Sequence, residues 1–336
     1  MTLDRRTLLK GTAALAATGV GVAPLLSPAS QHPTNHPRID RQAVQAILDE
    51  TVANAGVSGA QLSLQLGEER ADFVVGTANC QLAQPMTVDT VVQIGSTTKV
   101  FNAMIIMTLV DEGKLDLNMP VKHYVPGFTL NHKVAETTVT LRHLLSMSSG
   151  LDNGPYTEHG RGDDALTHYI ASLRDIPQIF LPGQGFGYSN AGTAIAGYIA
   201  ERVTGQHWDD LLKERILRPA GLNHAGTLDD LFFQRVAVGH RLKESGPGFT
   251  LINSPWRAPR ALEPAGATLM ISAQDLASFG QLFINDGVAV NGTRILSQQA
   301  VRTMMTPTTP IPSIDSVTRH YGVGPTHSQW QDGEYW

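Results

Sequence analysis

Apolar and polar positions follow two successive periods near the start of the chain. Apolar residues first recur every three or four positions, which predicts an amphipathic helix: Ala43, Val44, Ile47, Leu48 and Val52. Between residues 60 and 66 apolar and polar residues alternate strictly, which predicts a half-buried strand. A turn at 67–70 leads to a second strand through residues 73–75. The order helix, strand, strand indicates an antiparallel beginning rather than a βαβ unit.

The segment 100–110 is different, because only Asn102 and Thr108 interrupt a run of apolar residues. A helix that is apolar on nearly every face belongs in the centre of a protein. Gly113 follows the segment as the expected C-terminal cap. We therefore predict a buried central helix over 100–110.

From residue 115 to about residue 264 the pattern predicts loops and helices, followed by a return toward a sheet. Four helices are expected in this middle region, at 140–147, 163–173, 190–204 and 207–217. A capping signal at Ser272 predicts a helix to Asp286, and a last helix is expected at 298–305.

Composition excludes several functional classes. The 336 residues hold 25 Lys and Arg against 30 Asp and Glu, a net charge of −5 with no block of like charges, so nucleic acid is not an expected partner. The single cysteine, Cys80, excludes an internal disulfide and a cysteine-built metal cluster. No H-E-x-x-H pair occurs among the 12 histidines. We expect no metal and no cofactor.

The N-terminus carries a targeting pattern rather than part of the fold. Arg5 and Arg6 precede a weakly apolar stretch at 11–26, and the small-x-small run 27–29 follows as a cleavage site. This resembles a twin-arginine export signal at 1–29, which predicts a periplasmic or extracellular protein. An uncleaved anchor is the alternative, but the apolar stretch is shorter than the roughly 20 residues that span a bilayer. No membrane span is expected once the signal is removed.

Ser96 and Lys99 stand where a short apolar run at 91–95 meets the central helix. A serine at the first turn of a helix lies in its positive dipole end, and a lysine three residues later shares its face. With no solvated helix face available, Lys99 is expected to be buried, and burial favours the neutral amine that acts as a base. The alternative is that Ser96 is an ordinary N-cap and that the Lys99 side chain extends to solvent.

Tyr188 and Asn190 end a glycine-rich loop at 182–190 and open a helix. A phenol near an ammonium group can share its proton and serve as a general base. An asparagine amide can hold a substrate amide or carbonyl. The alternative is that Tyr188 packs in the interior and Asn190 caps the helix, and Asn190 can fill both roles.

These residues carry a resemblance to the class C beta-lactamase-related serine hydrolases, a family of beta-lactamases, D-alanyl-D-alanine carboxypeptidases and esterases. Five blocks in the family's order support it: 95–99, 112–117, 141–151, 182–190 and 264–266. The resemblance implies an α/β (α+β) fold, with an antiparallel sheet flanked by helices and an inserted all-helical subdomain. It divides the chain into a sheet domain at 30–114 and about 265–336, and a helical subdomain at 115–264.

The resemblance also implies a role for each candidate residue. Ser96 is the acylated nucleophile, Lys99 its proton partner, Tyr188 the general base or its relay, and Asn190 a substrate ligand. The backbone N–H of Ser96 supplies one oxyanion donor. The block 141–151 is expected to support the cleft wall without reacting.

One departure from the family concerns the Lys-Thr-Gly or His-Thr-Gly motif, whose strand supplies the second oxyanion donor. Residues 321–324 resemble the approach to that motif, and residues 224–226 do not replace it, since they lie in the expected helical middle. The second donor is therefore expected to be missing, as in a C-terminally truncated chain, and losing one donor costs about 10²–10³ in rate.

Two functions follow as expectations. The first is a serine hydrolase that forms an acyl-enzyme on Ser96 and acts on a β-lactam, an ester or a D-amino-acid peptide bond, with a small molecule or a peptidoglycan peptide as substrate. The alternative is an impaired or inert relative that binds cell-wall peptide or a partner through the same cleft. The absence of G-x-S-x-G and of a complete phosphate loop excludes an α/β-hydrolase elbow and a P-loop.

Overall fold

The computed structural model describes residues 38–252, 258–312, 318–330 and 333–336. Its helices are α1 (Arg41–Ala55), α2 (Thr98–Asp111), α3 (Val121–Tyr124), α4 (Lys133–Thr138), α5 (Leu141–Leu145), α6 (Ala165–Ser172), α7 (Asn190–Thr204), α8 (Trp208–Leu212), α9 (Arg218–Ala220), α10 (Ala273–Ile284) and α11 (Gln298–Met304). Its strands are β1 (Gly59–Leu66), β2 (Glu69–Asn79), β3 (Gln84–Pro85), β4 (Thr90–Gln93), β5 (Ala225–Gly226), β6 (Arg235–Val236), β7 (His240–Leu242), β8 (Phe249–Leu251), β9 (Met270–Ile271), β10 (Thr309–Pro310), β11 (Thr318–Tyr321), β12 (Thr326–Trp330) and β13 (Gly333–Tyr335).

The predicted order helix, strand, strand is confirmed by α1, β1 and β2. β1 and β2 form an antiparallel hairpin whose register runs from Gly59 opposite Gly76 to Leu66 opposite Glu69. Asp40 caps α1 by accepting the backbone N–H of Ala43. The strict alternation in β1 therefore helps to fix the register in which it pairs with β2.

The central helix is also confirmed, since α2 is buried along nearly its whole length. The ring of Phe101 stacks on that of Phe279 of α10, with centroids 3.7 Å apart. Asn102 is fully buried, and its amide accepts the indole N–H of Trp208 at 2.9 Å and donates to the Thr193 carbonyl at 3.2 Å. These polar contacts satisfy the one amide within an apolar helix and tie α2 to α7 and α8.

The strands form several small sheets. Within the described ranges, β1, β2 and β3 make one antiparallel sheet, and β10 to β13 make another in sequence order. A mixed sheet has the order β5-β9-β4-β6, in which only the pair β4 and β6 is parallel. Strand β4 leads directly to the start of α2, so this sheet fixes the position of Ser96.

The middle region is more varied than the sequence indicated. Helices α5, α6, α7 and α8 lie where helices were expected, but residues 225–251 hold the four strands β5 to β8. The expectation that this stretch contains only helices and loops is wrong there. Strands of two or three residues are too short to show alternation. The pairing of β5 with β9 and of β6 with β4 depends on the tertiary fold, and β7 and β8 pair with each other. The domain boundaries at 114 and 264 stay a prediction.

The same correction applies to residues 224–226. Ala225 and Gly226 form strand β5 rather than part of a helix. The imidazole of His224 bonds the Gln274 amide at 2.9 Å, and its backbone N–H donates to Asp275, so this segment is anchored to α10.

The expected export signal at 1–29 lies outside the described residues, so export stays a prediction. In the described part of the chain, no helix combines the length and the apolar character needed to cross a bilayer.

We predict that Asn102→Ala lowers the free energy of unfolding by about 2 kcal/mol, because it leaves the buried indole N–H of Trp208 without an acceptor. Urea denaturation measures the change. Asn54→Ala on the exposed face of α1 is the control and is expected to stay within about 0.5 kcal/mol of the wild type. Equal stability of the two variants would contradict the prediction.

Candidate active site

Ser96 lies at the exposed N-terminal entrance of α2. It belongs to a 3₁₀ turn at Gly95–Thr97 that joins strand β4 to the helix. The N-cap of α2 is Thr97, so the ordinary N-cap alternative for Ser96 does not hold. The Ser96 hydroxyl therefore stands free for other partners at the positive end of the helix dipole.

Lys99 is buried directly behind this hydroxyl, with 2% of its surface exposed. Its Nζ donates to Ser96 Oγ at 3.0 Å and to the backbone carbonyl of Ala265 at 2.6 Å. No carboxylate among the described residues forms an ion pair with it. Burial without a counter-charge lowers the pKa of Lys99 to about 8. The alternative that Lys99 extends to solvent is therefore wrong.

Tyr188 reaches the same hydroxyl. Its phenol donates to Ser96 Oγ at 2.6 Å, and Lys99 Nζ lies 4.8 Å from the centre of its ring. Burial raises the pKa of Tyr188, and the hydrogen bond with Ser96 opposes that rise. The phenol is therefore protonated at neutral pH and acts as a donor in the free protein.

The loop that carries Tyr188 rests on the turn that follows α5. The backbone N–H of Gly187 donates to the Met147 carbonyl and that of Gly183 to the Ser148 carbonyl, both at 2.8 Å. Gly150 has a φ of 72°, and a Cβ there would meet the Phe180 carbonyl oxygen at 1.9 Å. These contacts agree with a supporting role for the block 141–151, which holds the loop in place.

Asn190 is the first residue of α7, but it does not cap the helix. Ser189 is the N-cap, and its hydroxyl accepts the Gly192 N–H at 2.9 Å. The backbone N–H of Asn190 donates to Asn153 Oδ1 at 2.9 Å, whereas its side-chain amide makes no hydrogen bond to any residue in the described ranges. That amide is therefore available to a ligand, as a substrate-binding role requires.

The strap, residues 260–266, closes the site behind Lys99. It consists of the 3₁₀ turn Arg260–Ala265 and Gly266, whose φ is 125°. A Cβ on Gly266 would lie 2.4 Å from the Gly95 oxygen and 2.9 Å from the Ser96 nitrogen. Only glycine allows the strap to approach the nucleophile this closely.

Two contacts of the site could not be predicted from the sequence, although the segments that make them, 264–266 and 321–324, match the family. The Ala265 carbonyl is a backbone group, so no residue type marks its contact with Lys99. Tyr321 of β11 is buried beside the site, with its ring centroid 6.1 Å from that of Phe186. Burial, together with the neighbouring Tyr188, raises the pKa of Tyr321. Among the described residues no group of three histidines, cysteines or carboxylates is placed to hold a metal ion.

We predict that Gly266→Ala slows covalent labelling of Ser96 by a fluorophosphonate at least tenfold, because the added methyl displaces the strap from Gly95. Gly280→Ala on α10 is the control, since a Cβ there meets no atom within 4 Å and alanine favours the helix. Labelling of Gly266→Ala at the control's rate would contradict this account of the strap.

Known proteins resemble the chain in sequence and in structure. The chain is 34% identical over 254 residues to penicillin-binding protein 4 of Amycolatopsis lactamdurans, a match that covers 74% of this chain and 65% of that protein. The chain thus spans just under two thirds of this relative's length.

Solved structures share the fold. D-amino acid amidase from Ochrobactrum anthropi SV3, complexed with D-phenylalanine, superposes with a TM-score of 0.71 at 26% identity, covering 87% of this chain and 82% of the amidase. The octameric penicillin-binding protein homologue from Pyrococcus abyssi gives a TM-score of 0.71 at 25% identity, covering 86% of this chain and 65% of the homologue. The model of the family described as beta-lactamase matches residues 44–335, and the chain belongs to this family of serine hydrolase-like proteins.

Proposed function

We propose that the protein is a serine hydrolase that forms an acyl-enzyme on Ser96. The observation that carries the proposal is the convergence of two proton-carrying groups on one exposed hydroxyl. Lys99 Nζ lies 3.0 Å and the Tyr188 phenol 2.6 Å from Ser96 Oγ. A nucleophile within hydrogen-bonding reach of a base, whose own position is fixed by a third group, is the general arrangement of covalent catalysis.

The pKa directions assign the two proton carriers different tasks. Lys99, with a pKa of about 8, has a substantial neutral fraction near neutral pH and accepts the Ser96 proton as Oγ attacks the substrate carbonyl. Tyr188 is protonated and serves as the relay that passes this proton from Lys99 to the leaving group. The carbon–leaving group bond then breaks and leaves the acyl group on Oγ.

Deacylation uses the same groups in the reverse direction. Water attacks the acyl carbon and yields its proton to the pair of Lys99 and Tyr188. The bond between Oγ and the acyl carbon breaks, Ser96 regains its proton, and the carboxylic acid leaves. No co-reactant other than water is needed.

The oxyanion formed in each step needs backbone donors. Gly266 leaves the space beside the Ser96 nitrogen free of a side chain, which supports the Ser96 N–H as one donor. The absence of the second donor, which the family's third motif would supply, stays a prediction. Gly324, just after the strand β11, lies against Ala103 of α2, where a Cβ on the glycine would be 2.6 Å from the alanine Cβ.

The substrate class that we propose is an amide of a D-amino acid, either free or at the end of a peptide, with esters and β-lactams as slower acyl donors. The similarity to a D-amino acid amidase supports an amide of a D-amino acid, and the similarity to penicillin-binding proteins supports β-lactams as acyl donors. The uncommitted side-chain amide of Asn190 would hold the substrate amide or carbonyl beside Ser96.

The direct test is intact mass after incubation with a fluorophosphonate and, separately, with a penicillin. We expect one adduct per chain in the wild type and none in Ser96→Ala. Ser245→Ala, at an exposed serine, is the control that should keep the adduct. An adduct in Ser96→Ala would contradict the assignment. No adduct in a wild type that is folded by circular dichroism would favour the binding relative instead.

We also predict a pH dependence of Ser96 labelling. The neutral fraction of Lys99 grows as pH rises toward its pKa of about 8, so the labelling rate should rise about tenfold per unit between pH 6 and 7.5. Lys99→Arg keeps its charge and should lose this rise together with about 10²–10⁴ in rate. A wild-type rate that is constant over this range would contradict the assignment of Lys99 as base.

A further inference from the structure

Three acidic side chains of the strap and its neighbouring helices lie close enough for two of them to influence the pKa of the third. Glu263 belongs to the strap, Glu201 to α7 and Asp209 to α8, and we call these three residues the carboxyl set. Glu263 is 7% and Asp209 8% exposed, and Glu201 is half-buried. Burying a carboxylate costs free energy unless the charge is paired and hydrogen-bonded.

Hydrogen bonding compensates them only in part. Glu201 Oε1 accepts the backbone N–H of Trp208 at 2.8 Å. Glu263 Oε1 and Asp209 Oδ1 have no hydrogen-bond partner among the described residues. Arg260 Nε lies 3.3 Å from Glu263 Oε1, but its N–H does not point along a hydrogen bond.

The two cations beside the set are each shared with a further carboxylate. Lys213 lies 3.4 Å from Asp209 and 3.0 Å from Asp230. Arg260 lies 2.9 Å from Asp163.

His207, which precedes α8, faces the same Asp163 at 3.7 Å. Five carboxyl groups therefore share two permanent cations.

This imbalance favours a protonated state. Burial, with Asp209 and Glu201 nearby, raises the pKa of Glu263 well above its usual range, although Arg260 and Lys213 oppose the rise. Burial likewise raises the pKa of Glu201 to about 7. Near neutral pH the set therefore retains a proton, and raising the pH forces a further charge into the interior.

The strap links this charge to the catalytic groups. Glu263 stands two residues before Ala265, whose carbonyl accepts the Lys99 ammonium, and three before Gly266, which lies against Gly95. Between them Pro264 packs so closely on α7 that a Cβ on Gly197 would lie 2.4 Å from its Cγ. Movement of Glu263 toward water would therefore shift the Ala265 carbonyl.

We propose that Glu263 is a positioning residue for Ser96 and Lys99: its protonated carboxyl keeps the strap seated against α2, and its ionisation at alkaline pH loosens the strap. The proposal rests on the proposed function, because it acts through the pair of Ser96 and Lys99. The rate at which a fluorophosphonate labels Ser96 should therefore fall at alkaline pH, above the range in which neutral Lys99 makes it rise. This decrease is called the falling limb of the pH profile.

The same carboxyl groups make the stability of the fold depend on pH. A carboxyl whose pKa is higher in the folded than in the unfolded protein stabilises the fold fully below its unfolded pKa. That contribution is lost as pH rises through the folded pKa. Glu201 and Glu263 both have raised pKa values, so the wild type should lose thermal stability as pH rises from about 5 into the alkaline range.

The test compares Glu263→Gln with the wild type over pH 5.5–10. Glutamine has the same shape and cannot ionise, so this variant should lose the falling limb of fluorophosphonate labelling and keep the rise due to Lys99. Its thermal midpoint should also vary less with pH. Glu214→Gln, an exposed glutamate on the neighbouring π-helical turn, is the control and should behave as the wild type.

Two results would overturn the proposal: a falling limb that persists in Glu263→Gln, or a wild-type rate with no falling limb. If Glu263→Gln does not fold, Glu201→Gln is the second variant. It keeps an acceptor for Trp208 and should move the falling limb to lower pH, because it removes a charge that raises the pKa of Glu263. An unmoved limb would overturn the proposal.

Failure of the proposed function gives a different pattern. If neither the wild type nor any variant is labelled at any pH, Ser96 is not activated, whatever the strap does. The thermal midpoints then test the carboxyl set alone. A wild-type midpoint that falls with pH and a flatter dependence in Glu263→Gln support the set, and identical slopes overturn it.

Discussion

The site depends on one unfavourable placement, a lysine buried at the start of an apolar helix. Lys99 has only two oxygen acceptors, the Ser96 hydroxyl and the Ala265 carbonyl, and no carboxylate partner within the described ranges. Both acceptors are neutral, so they orient the amine without restoring the charge stabilisation that water would give. The lysine is thereby available as a base near neutral pH, next to a hydroxyl that solvent and substrate can reach.

Three separate segments hold this arrangement, and each is fixed by backbone contacts. The 3₁₀ turn Gly95–Thr97 presents Ser96, the loop before α7 presents Tyr188, and the strap supplies the Ala265 carbonyl. Close backbone approaches at Gly150 and Gly266 leave no room for a side chain. Rigid support of this kind keeps donors and acceptors in place before the substrate arrives, which is the main requirement for electrostatic catalysis.

Local features of the fold and site could be predicted from sequence, whereas tertiary ones could not. The spacing of Ser96 and Lys99 places both on one helix face, and the apolar run behind them predicts the burial of Lys99. Asn190 was a candidate cap because asparagine caps helices well, yet Ser189 fills that position. Strands β5 to β8 are too short to give a periodic signal. The Ala265 carbonyl and the surroundings of Glu263 arise from packing between distant segments, which no local pattern records.

The pKa of Lys99 is the most direct test of its role as the base for Ser96. Lysines labelled with ¹³C at Cε can be titrated by NMR. The chain has seven lysines, and the resonance that is missing from the spectrum of Lys99→Met belongs to Lys99. We expect that resonance to titrate at about 8, roughly two units below the ordinary value for a lysine. A Lys99 resonance that titrates above 10 would mean that the amine is charged at neutral pH, and it would contradict the role of Lys99 as the base for Ser96.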